Sequence, residues 1–351
     1  VKIAIQPDAV MHPSGERQSY SEQWERYADQ KGVETVRVDV WGPDVLERIR
    51  ECDAFMWRCM PSLKERSRAA ALLHAVEFGL NLPVFPSWNT RWHLEDKALQ
   101  AQMFEAMDLP HPLTWLFHDR DRALDFVRRA NYPFVLKLAS GIRSGAVRLV
   151  ENLQQAERLV DRLFGEGLYW VDLPPSGGIN EALRRGRRAI GALRGRNVDA
   201  PSDERELHRG YFLAQEFVPN NDFDTRIAVV GNRAFGFRRL NRPDDFRASG
   251  SGQVDWDPAR IDAELVRMAF DISRRLQAQT VAFDFIKKNG KPLILELTLT
   301  YATWAVNRCP GFWWQESADA DPVWCDQSVR VEQALFDDFV QGCHPEGGVA
   351  Q

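Results

Sequence analysis

Short apolar runs and amphipathic segments alternate along the first 88 residues of the chain. Lys2 to Ile5, Val33 to Val40, Asp53 to Trp57 and Pro83 to Phe85 have the brevity and β-type composition of strands. Ser21 to Gln30, Val45 to Arg50 and Lys64 to Phe78 carry helical spacing instead. Strands that alternate with helices need crossover connections, so residues 1–88 are expected to form a parallel-sheet α/β domain. Ligands of such sheets bind beyond the carboxyl ends of the strands. That rule points to Gln6 to Ser14 and to Arg58 to Ser62, where Arg58 reads more readily as a solvated loop arginine than as a substrate clamp.

The rhythm changes after Ser87. Asn89 to Met107 is helical in pattern, with Asn89 or Thr90 as cap. Pro110 to Trp115 is extended, Leu124 to Arg129 helical, and Tyr132 to Leu138 a strand with Lys137 inside an apolar run. The loop ASGIRSGA leads to a strand at Val147 to Val150 and a helix at Leu153 to Phe164. Residues 165–210 are rich in Gly, Pro and Arg and lack strand alternation. They read as a long insertion with one basic helix near Asn180 to Leu193. Arg184, Arg185, Arg187, Arg188, Arg194 and Arg196 face Glu181 alone within that stretch. No aromatic interleaving accompanies them, so a lid over an anionic substrate is expected rather than a nucleic-acid surface.

Beyond the insertion, β-type runs present acids and arginines in close order. Asp284 and Glu296 lie on two runs joined by Asn289-Gly290, a strong hairpin signal. A two-residue loop would set Asp284 opposite Leu295 and turn Glu296 to the other face. A three-residue loop, Asn289 to Lys291, would pair the two carboxylates directly. Like charges placed opposite each other destabilise a bare sheet, so that pairing would imply a bound cation. An ordinary surface hairpin is the alternative.

Composition narrows the classes. At 351 residues the chain suggests two or three domains, and its 44% hydrophobic and 27% charged content is that of ordinary globular proteins. A net charge of −5 argues against a whole-surface nucleic-acid binder. No apolar run is long enough to span a bilayer, the start reads as a strand rather than a signal peptide, and the 5 cysteines lack zinc spacing. A reducing, cytoplasmic setting with no membrane partner is the expectation. His12, His74, His93, His111 and His118 form no pair with ligand spacing.

Residue chemistry suggests a nucleotide triphosphate. Lys137 is a lysine where an apolar strand seldom admits one, and the loop after it offers backbone N–H groups to phosphate. Gln215, Glu216 and Val218 end a strand before Pro219, a place for an adenine edge. Asp222 and Asp224 could accept ribose hydroxyls. Arg226, Arg238, Arg239 and Arg247 exceed what a solvated strand needs, and planar guanidinium suits phosphate and carboxylate.

Taken in order from Asn89 to Trp304, these blocks resemble the ATP-grasp ligases, in the branch of the ribosomal-protein glutamate ligase and glutathione synthetase. WNTRWHLEDKALQ resembles the entry helix, with Lys97 on phosphate. YPFVLKLASGIRSGAV resembles the lysine strand and glycine loop, with Lys137 and Gly141. FLAQEFVP resembles the adenine hinge, with Gln215, Glu216 and Val218. DFDTRIAVVG is similar to the ribose and phosphate strand, with Asp224 and Arg226. RRLNRPDDFRASG resembles the arginine pair and following turn. AFDFIKKNGKPLILELT resembles the metal hairpin, with Asp284, Glu296 and, where the family has asparagine, Thr298.

The resemblance implies an α/β and α+β architecture: an ATP-grasp fold with an N-terminal parallel-sheet α/β domain. Its divisions would be residues 1–88, an ATP-grasp central subdomain at 89–218 carrying the insertion at 165–210, and a C-terminal subdomain at 219–351. It also implies ATP and one or two magnesium ions, with manganese as a substitute. Arg226, Arg238 and Arg247 would act in catalysis on small-molecule carboxylate and amine substrates. A homodimer would suit such folds. Three departures stand out: Ile142 and Arg143 intrude in the glycine loop, Thr298 weakens a second metal site, and the insertion is long. They leave room for a non-catalytic ATP-binding protein, or for a kinase of the same fold. Beyond Trp304, Phe312, Trp313, Trp314 and Trp324 would either pack the tail or offer a stacking platform.

Overall fold

The computed structural model describes residues 1–8, 10–11, 17–141, 146–169, 206–242, 246–248 and 251–343. Three sheets organise them. The first contains β1 (Lys2–Ile5), β2 (Glu34–Arg37), β3 (Ala54–Met56) and β4 (Val84–Phe85), in the order β2-β1-β3-β4 and parallel throughout. Helices α1 (Tyr20–Lys31), α2 (Val45–Arg50) and α3 (Leu63–His74) belong to this layer. Sequence explains the bounds of α1. Ser19 accepts from the Glu22 N–H at its start, and Gly32, at φ +68°, ends it with its N–H on the Ala28 and Asp29 carbonyls. Both sheet faces are covered: Ile3, Ala4 and Ile5 are wholly buried, which is why β1 is apolar without alternation.

The second sheet is antiparallel and contains β5 (Thr114–Phe117), β6 (Phe134–Lys137), β7 (Val147–Val150) and β8 (Phe212–Glu216), ordered β5-β8-β6-β7. Before it comes α4 (Lys97–Ala106). α5 (Arg120–Arg129) and α6 (Leu153–Phe164) close over this sheet, making a separate core with Phe134, Leu136, Val150 and Phe212. At the root of the insertion Leu168–Tyr169 pairs with Leu207–His208. The basic helix expected near Asn180 to Leu193 lies outside the described residues.

The third sheet contains β9 (Phe223–Val230), β10 (Arg233–Leu240), β11 (Val254–Asp255), β12 (Thr280–Lys288), β13 (Lys291–Thr298), β14 (Phe312–Trp314) and β15 (Val323–Cys325). Its order is β13-β12-β9-β10-β14-β15, with β11 also on β10. Alternation gives it two buried faces. Ile227, Val229, Phe283 and Phe285 pack with α7 (Ala263–Arg275). Ala228, Val230, Phe235 and Ala282 face the other way, into a core shared with Ile3, Trp24 and α8 (Val331–Gly342). The first and third layers are thus joined by one apolar interior, in which each large side chain contributes about 1.5–3 kcal/mol. The aromatic tail takes the packing option: Trp313 meets Trp324 at 4.7 Å between ring centroids across β14 and β15.

One expected element is interrupted. The helical pattern from Asn89 to Met107 is two helices, Trp88–Arg91 and α4, because Leu94 and Glu95 take left-handed φ of 38° and 64°. Asp96 restarts the helix as a cap, accepting from the Ala98 and Leu99 N–H groups. The break turns Glu95 toward the end of β13, where its Oε1 accepts from the N–H groups of Leu299 at 2.7 Å and Thr300 at 3.2 Å.

Candidate active site

The acid-bearing hairpin combines the two registers that the sequence left open. Its loop has two residues, Asn289 and Gly290, both left-handed at φ 53° and 80°, and Lys288 pairs with Lys291. A bulge between Asp284 and Phe285 then skips Leu295, so Asp284 pairs with Glu296 and both carboxylates share a face. The three-residue loop is therefore not needed. The skipped residue has its own use: the Leu295 carbonyl, released from the ladder, accepts from Lys137 Nζ at 3.3 Å. That bond crosses from the second sheet to the third.

Cations surround the acid pair. Arg226 Nε and Nη2 lie 2.6 and 2.7 Å from the two oxygens of Asp284, and Arg239 Nη2 is 2.7 Å from Oδ2. Arg239 also grips Asp224 through Nε and Nη2, at 2.7 and 2.6 Å. Glu296 is met by Lys97 at 2.9 Å. Burial alone would raise the Asp284 carboxyl, but the two guanidiniums hold it down at about 2. Burial likewise opposes charge on Lys97, and the Glu296 carboxylate outweighs it, so the ammonium is stabilised. At Lys137 burial wins and brings the amine down to about 8, although Glu296 resists.

The other expected residues fall into place unevenly. Gly141 has φ +141°, and a Cβ there would meet the Ala146 Cβ at 2.4 Å, so the loop after Lys137 closes only with glycine. Ile142 to Gly145 lie outside the described residues. Gln215 is buried and donates to Thr114 Oγ1 at 3.0 Å. Glu216 accepts from the Leu113 N–H at 3.1 Å and from Lys288 Nζ at 2.5 Å, which again ties the second sheet to the hairpin. Val218 follows, half-buried at the junction of the two sheets, with its carbonyl 3.4 Å from Asn221 Nδ2. Thr298 Oγ1 receives Arg226 Nη2 at 3.5 Å.

Two assignments change. Asp224 was expected at ribose, but it is 5% exposed and both its oxygens are committed to Arg239, so it orients a guanidinium. Arg238 was expected in catalysis, yet alternation puts it on the face opposite Arg226 and Asp284. There it donates to the Arg260 carbonyl and lies 4.4 Å from the centroid of Phe223. Its neighbour Arg239 holds the place on the acid face. Arg247 sits beside Phe246, whose ring meets Phe217 at 5.6 Å, next to the Glu216 strand end.

Sequence reasoning passed over Glu95, His93 and Gln100. Gln100 is buried and clasps the Leu297 backbone twice, donating to its carbonyl and accepting from its N–H, both at 2.9 Å. His93 is buried against Gln100 at 3.0 Å, and burial lowers its imidazole to about 4. Burial and the neighbouring Glu296 charge raise the Glu95 carboxyl to about 7. The only signal for these was proximity to Lys97 in HLEDKALQ.

Asp284, Glu296 and Thr298 carry hard oxygens on one face that could hold a divalent cation; both Asp284 oxygens are held by Arg226 and Arg239, so Glu296, 25% exposed, is the accessible one. Among the described residues no three His, Cys, Asp or Glu side chains converge as a metal cluster. An ion here would complete its shell with phosphate and water oxygens, as magnesium does beside one or two carboxylates.

This arrangement, an α/β layer and two antiparallel sheets with Lys137 of the second sheet and Lys97 of α4 both reaching the acid-bearing hairpin of the third, is the ATP-grasp fold. The model of the RimK-like ATP-grasp domain matches residues 197–309, the stretch that carries Arg226, Arg239, Asp284 and Glu296. A probable alpha-L-glutamate ligase of Alkalilimnicola ehrlichii is 24% identical over 219 residues, 62% of this chain, and the match spans 59% of that relative's length. A RimK domain ATP-grasp protein from Sphaerobacter thermophilus superposes over 97% of this chain and 100% of its own, with TM-score 0.54 and 18% identity. The D-cycloserine synthetase DcsG does so over 97% and 100%, with TM-score 0.54 and 16% identity. Among the described residues no helix is long and apolar enough to cross a membrane.

Proposed function

We propose that this chain is an ATP-dependent carboxylate–amine ligase that forms an amide through an acyl phosphate. One observation carries the reading: Lys137, Lys97 and Glu216 reach one acid-bearing hairpin from two different parts of the fold. ATP is the substrate of that cleft, its adenine edge against Glu216 to Val218 and its phosphates on Lys97 and Lys137. The names of the relatives, a glutamate ligase and a D-cycloserine synthetase, agree with that class.

In the proposed reaction a carboxylate oxygen attacks the γ-phosphorus in line, and ADP leaves as the bond to the β-phosphate oxygen breaks. An amine then adds to the acyl carbon, and phosphate departs with a proton lost from nitrogen. Catalysis of this kind needs position and charge more than covalent participation. Lys97 and Lys137 neutralise phosphate oxygens. Arg226 spends Nε and Nη2 on Asp284. Its Nη1 can face the carboxylate and the later oxyanion, with Arg239 as support. Glu296 and Asp284 would hold a magnesium ion, which would supply further neutralisation of phosphate charge.

The test is ADP release from MgATP with a panel of small carboxylates and amines, including amino acids and peptides. Glu296→Ala should lower the substrate-dependent rate at least about 100-fold. Wild-type rates in that variant at saturating magnesium would remove the assignment.

A further inference from the structure

The root of the insertion makes polar contacts that the acid hairpin does not use. Leu168–Tyr169 and Leu207–His208 pair there, and Tyr211 stands immediately before β8. Glu206, His208 and Tyr211, all within this short stretch, contact the loop after Lys137 or one another. Tyr211 Oη accepts from the Ala139 N–H at 2.8 Å. The Ala139 carbonyl in turn accepts from the Lys97 N–H, also at 2.8 Å. Ala139 is thus the joint between the two lysines assigned to phosphate, since it closely follows Lys137 and is bonded to the first residue of α4.

A short chain of protons fixes that joint. Burial pushes the Tyr211 phenol up, so it keeps its proton. Having accepted from Ala139, the hydroxyl can give that proton to His208 Nδ1, 2.8 Å away. Burial also lowers the His208 imidazole, so the ring is neutral and Nδ1 can accept. The remaining ring proton is then on Nε2, which is buried with no hydrogen-bond partner among the described residues. An orphaned donor on a ring that is 3% exposed lowers stability. What the ring contributes against that cost is the orientation of Tyr211. Glu206 adds a second tie, because its Oε2 accepts from Ser140 Oγ in the same loop and from Arg66 of α3 in the first layer.

We propose that Tyr211, oriented by His208, is a positioning residue for the triphosphate. By fixing Ala139 it sets Lys137 and Lys97 relative to each other before nucleotide arrives, which removes an ordering cost from binding. The root of the insertion is therefore part of the phosphate-binding machinery. This deepens the ligase reading and rests on its placement of ATP, but the two can fail separately. The probes are a non-hydrolysable ATP analogue with magnesium, which reaches the lysines, and AMP, which lacks the β- and γ-phosphates. Calorimetry follows both in full-length wild type, Tyr211→Phe, His208→Leu and His208→Asn. Far-ultraviolet circular dichroism and melting report folding, and ADP release from MgATP with the substrate panel reports turnover.

Tyr211→Phe should weaken the triphosphate about 10-fold and leave AMP within about twofold of the wild type. His208→Leu should do the same, and it keeps the test open if Tyr211→Phe misfolds. His208→Asn, whose side-chain oxygen can take the place of Nδ1, should restore most of the loss. Equal weakening of the triphosphate and AMP would mean a merely structural role and overturns the proposal. So does unchanged triphosphate affinity in Tyr211→Phe, and wild-type ADP release beside it leaves the ligase reading standing. His208→Asn as weak as His208→Leu overturns the orienting role of His208. Triphosphate-selective weakening in a protein that releases no ADP with any substrate supports the positioning role and overturns the ligase.

Discussion

Lys137 shows what single residues could and could not reveal. A lysine inside YPFVLKL advertises a partner, but nothing in the sequence says that the partner is the Leu295 carbonyl. Arg238 and Arg239 are adjacent and chemically equal, and only the parity of β10 decides which one meets Asp284. The acids themselves were legible; their entanglement with three charged neighbours was not. Asp284→Asn should consequently do more than impair turnover, since Arg226 would be left buried without its counter-charge and Arg239 would keep only Asp224. A loss of about 3–5 kcal/mol in urea unfolding is expected.

Glu95 gives a pH signature. Its folded value of about 7 stands above the ordinary 4.5, so folding favours the protonated carboxyl. Its contribution is fully present below pH 4.5 and is lost as pH rises through about 7. Glu95→Gln, which can still accept from Leu299 and Thr300, should escape that loss. Melting curves from pH 4 to 8 should show the variant gaining on the wild type above pH 4.5 and levelling off beyond about 7.

At the scale of elements, strands and helices of the first layer were readable because short apolar runs and capped amphipathic segments alternate cleanly. The hairpin was readable as a hairpin through Asn-Gly, whereas its bulge left no mark, since LILEL alternates as well with or without a skipped residue. The break at Leu94–Glu95 was hidden for a different reason: neither residue is a helix breaker, and the turn is held by backbone groups some two hundred positions away. α4 is fastened to β13 chiefly by Gln100. Gln100→Leu strands the Leu297 N–H and carbonyl in an apolar contact, and a destabilisation of about 2–4 kcal/mol by chemical denaturation is expected. Lys97, on the same helix, should lose its grip on Glu296, so ATP affinity should fall in parallel.

Across the whole molecule, the first and third layers share a core while the second sheet keeps its own. Gln279 reinforces the joined pair, accepting from the Ser87 N–H at 2.8 Å and donating to the Val84 carbonyl at 3.0 Å. The second sheet meets the acid hairpin through polar links such as Lys137 to Leu295 and Lys288 to Glu216. This division predicts where nucleotide will be felt. In hydrogen exchange, MgATP should protect Phe134–Lys137 and Phe212–Glu216 markedly and leave Lys2–Ile5 nearly unchanged. Equal protection of all three strands would contradict it.

The balance of charge around Asp284 and Glu296 has one more consequence. Arg226, Arg239, Lys97 and Lys137 stand against Asp224, Asp284 and Glu296, so the cleft carries little surplus charge to project into solvent. Such a cleft does not draw in a polyanion from afar; it recognises one on arrival, by trading internal partners for external ones. Capture should therefore proceed at an ordinary, unsteered encounter rate that changes little with ionic strength.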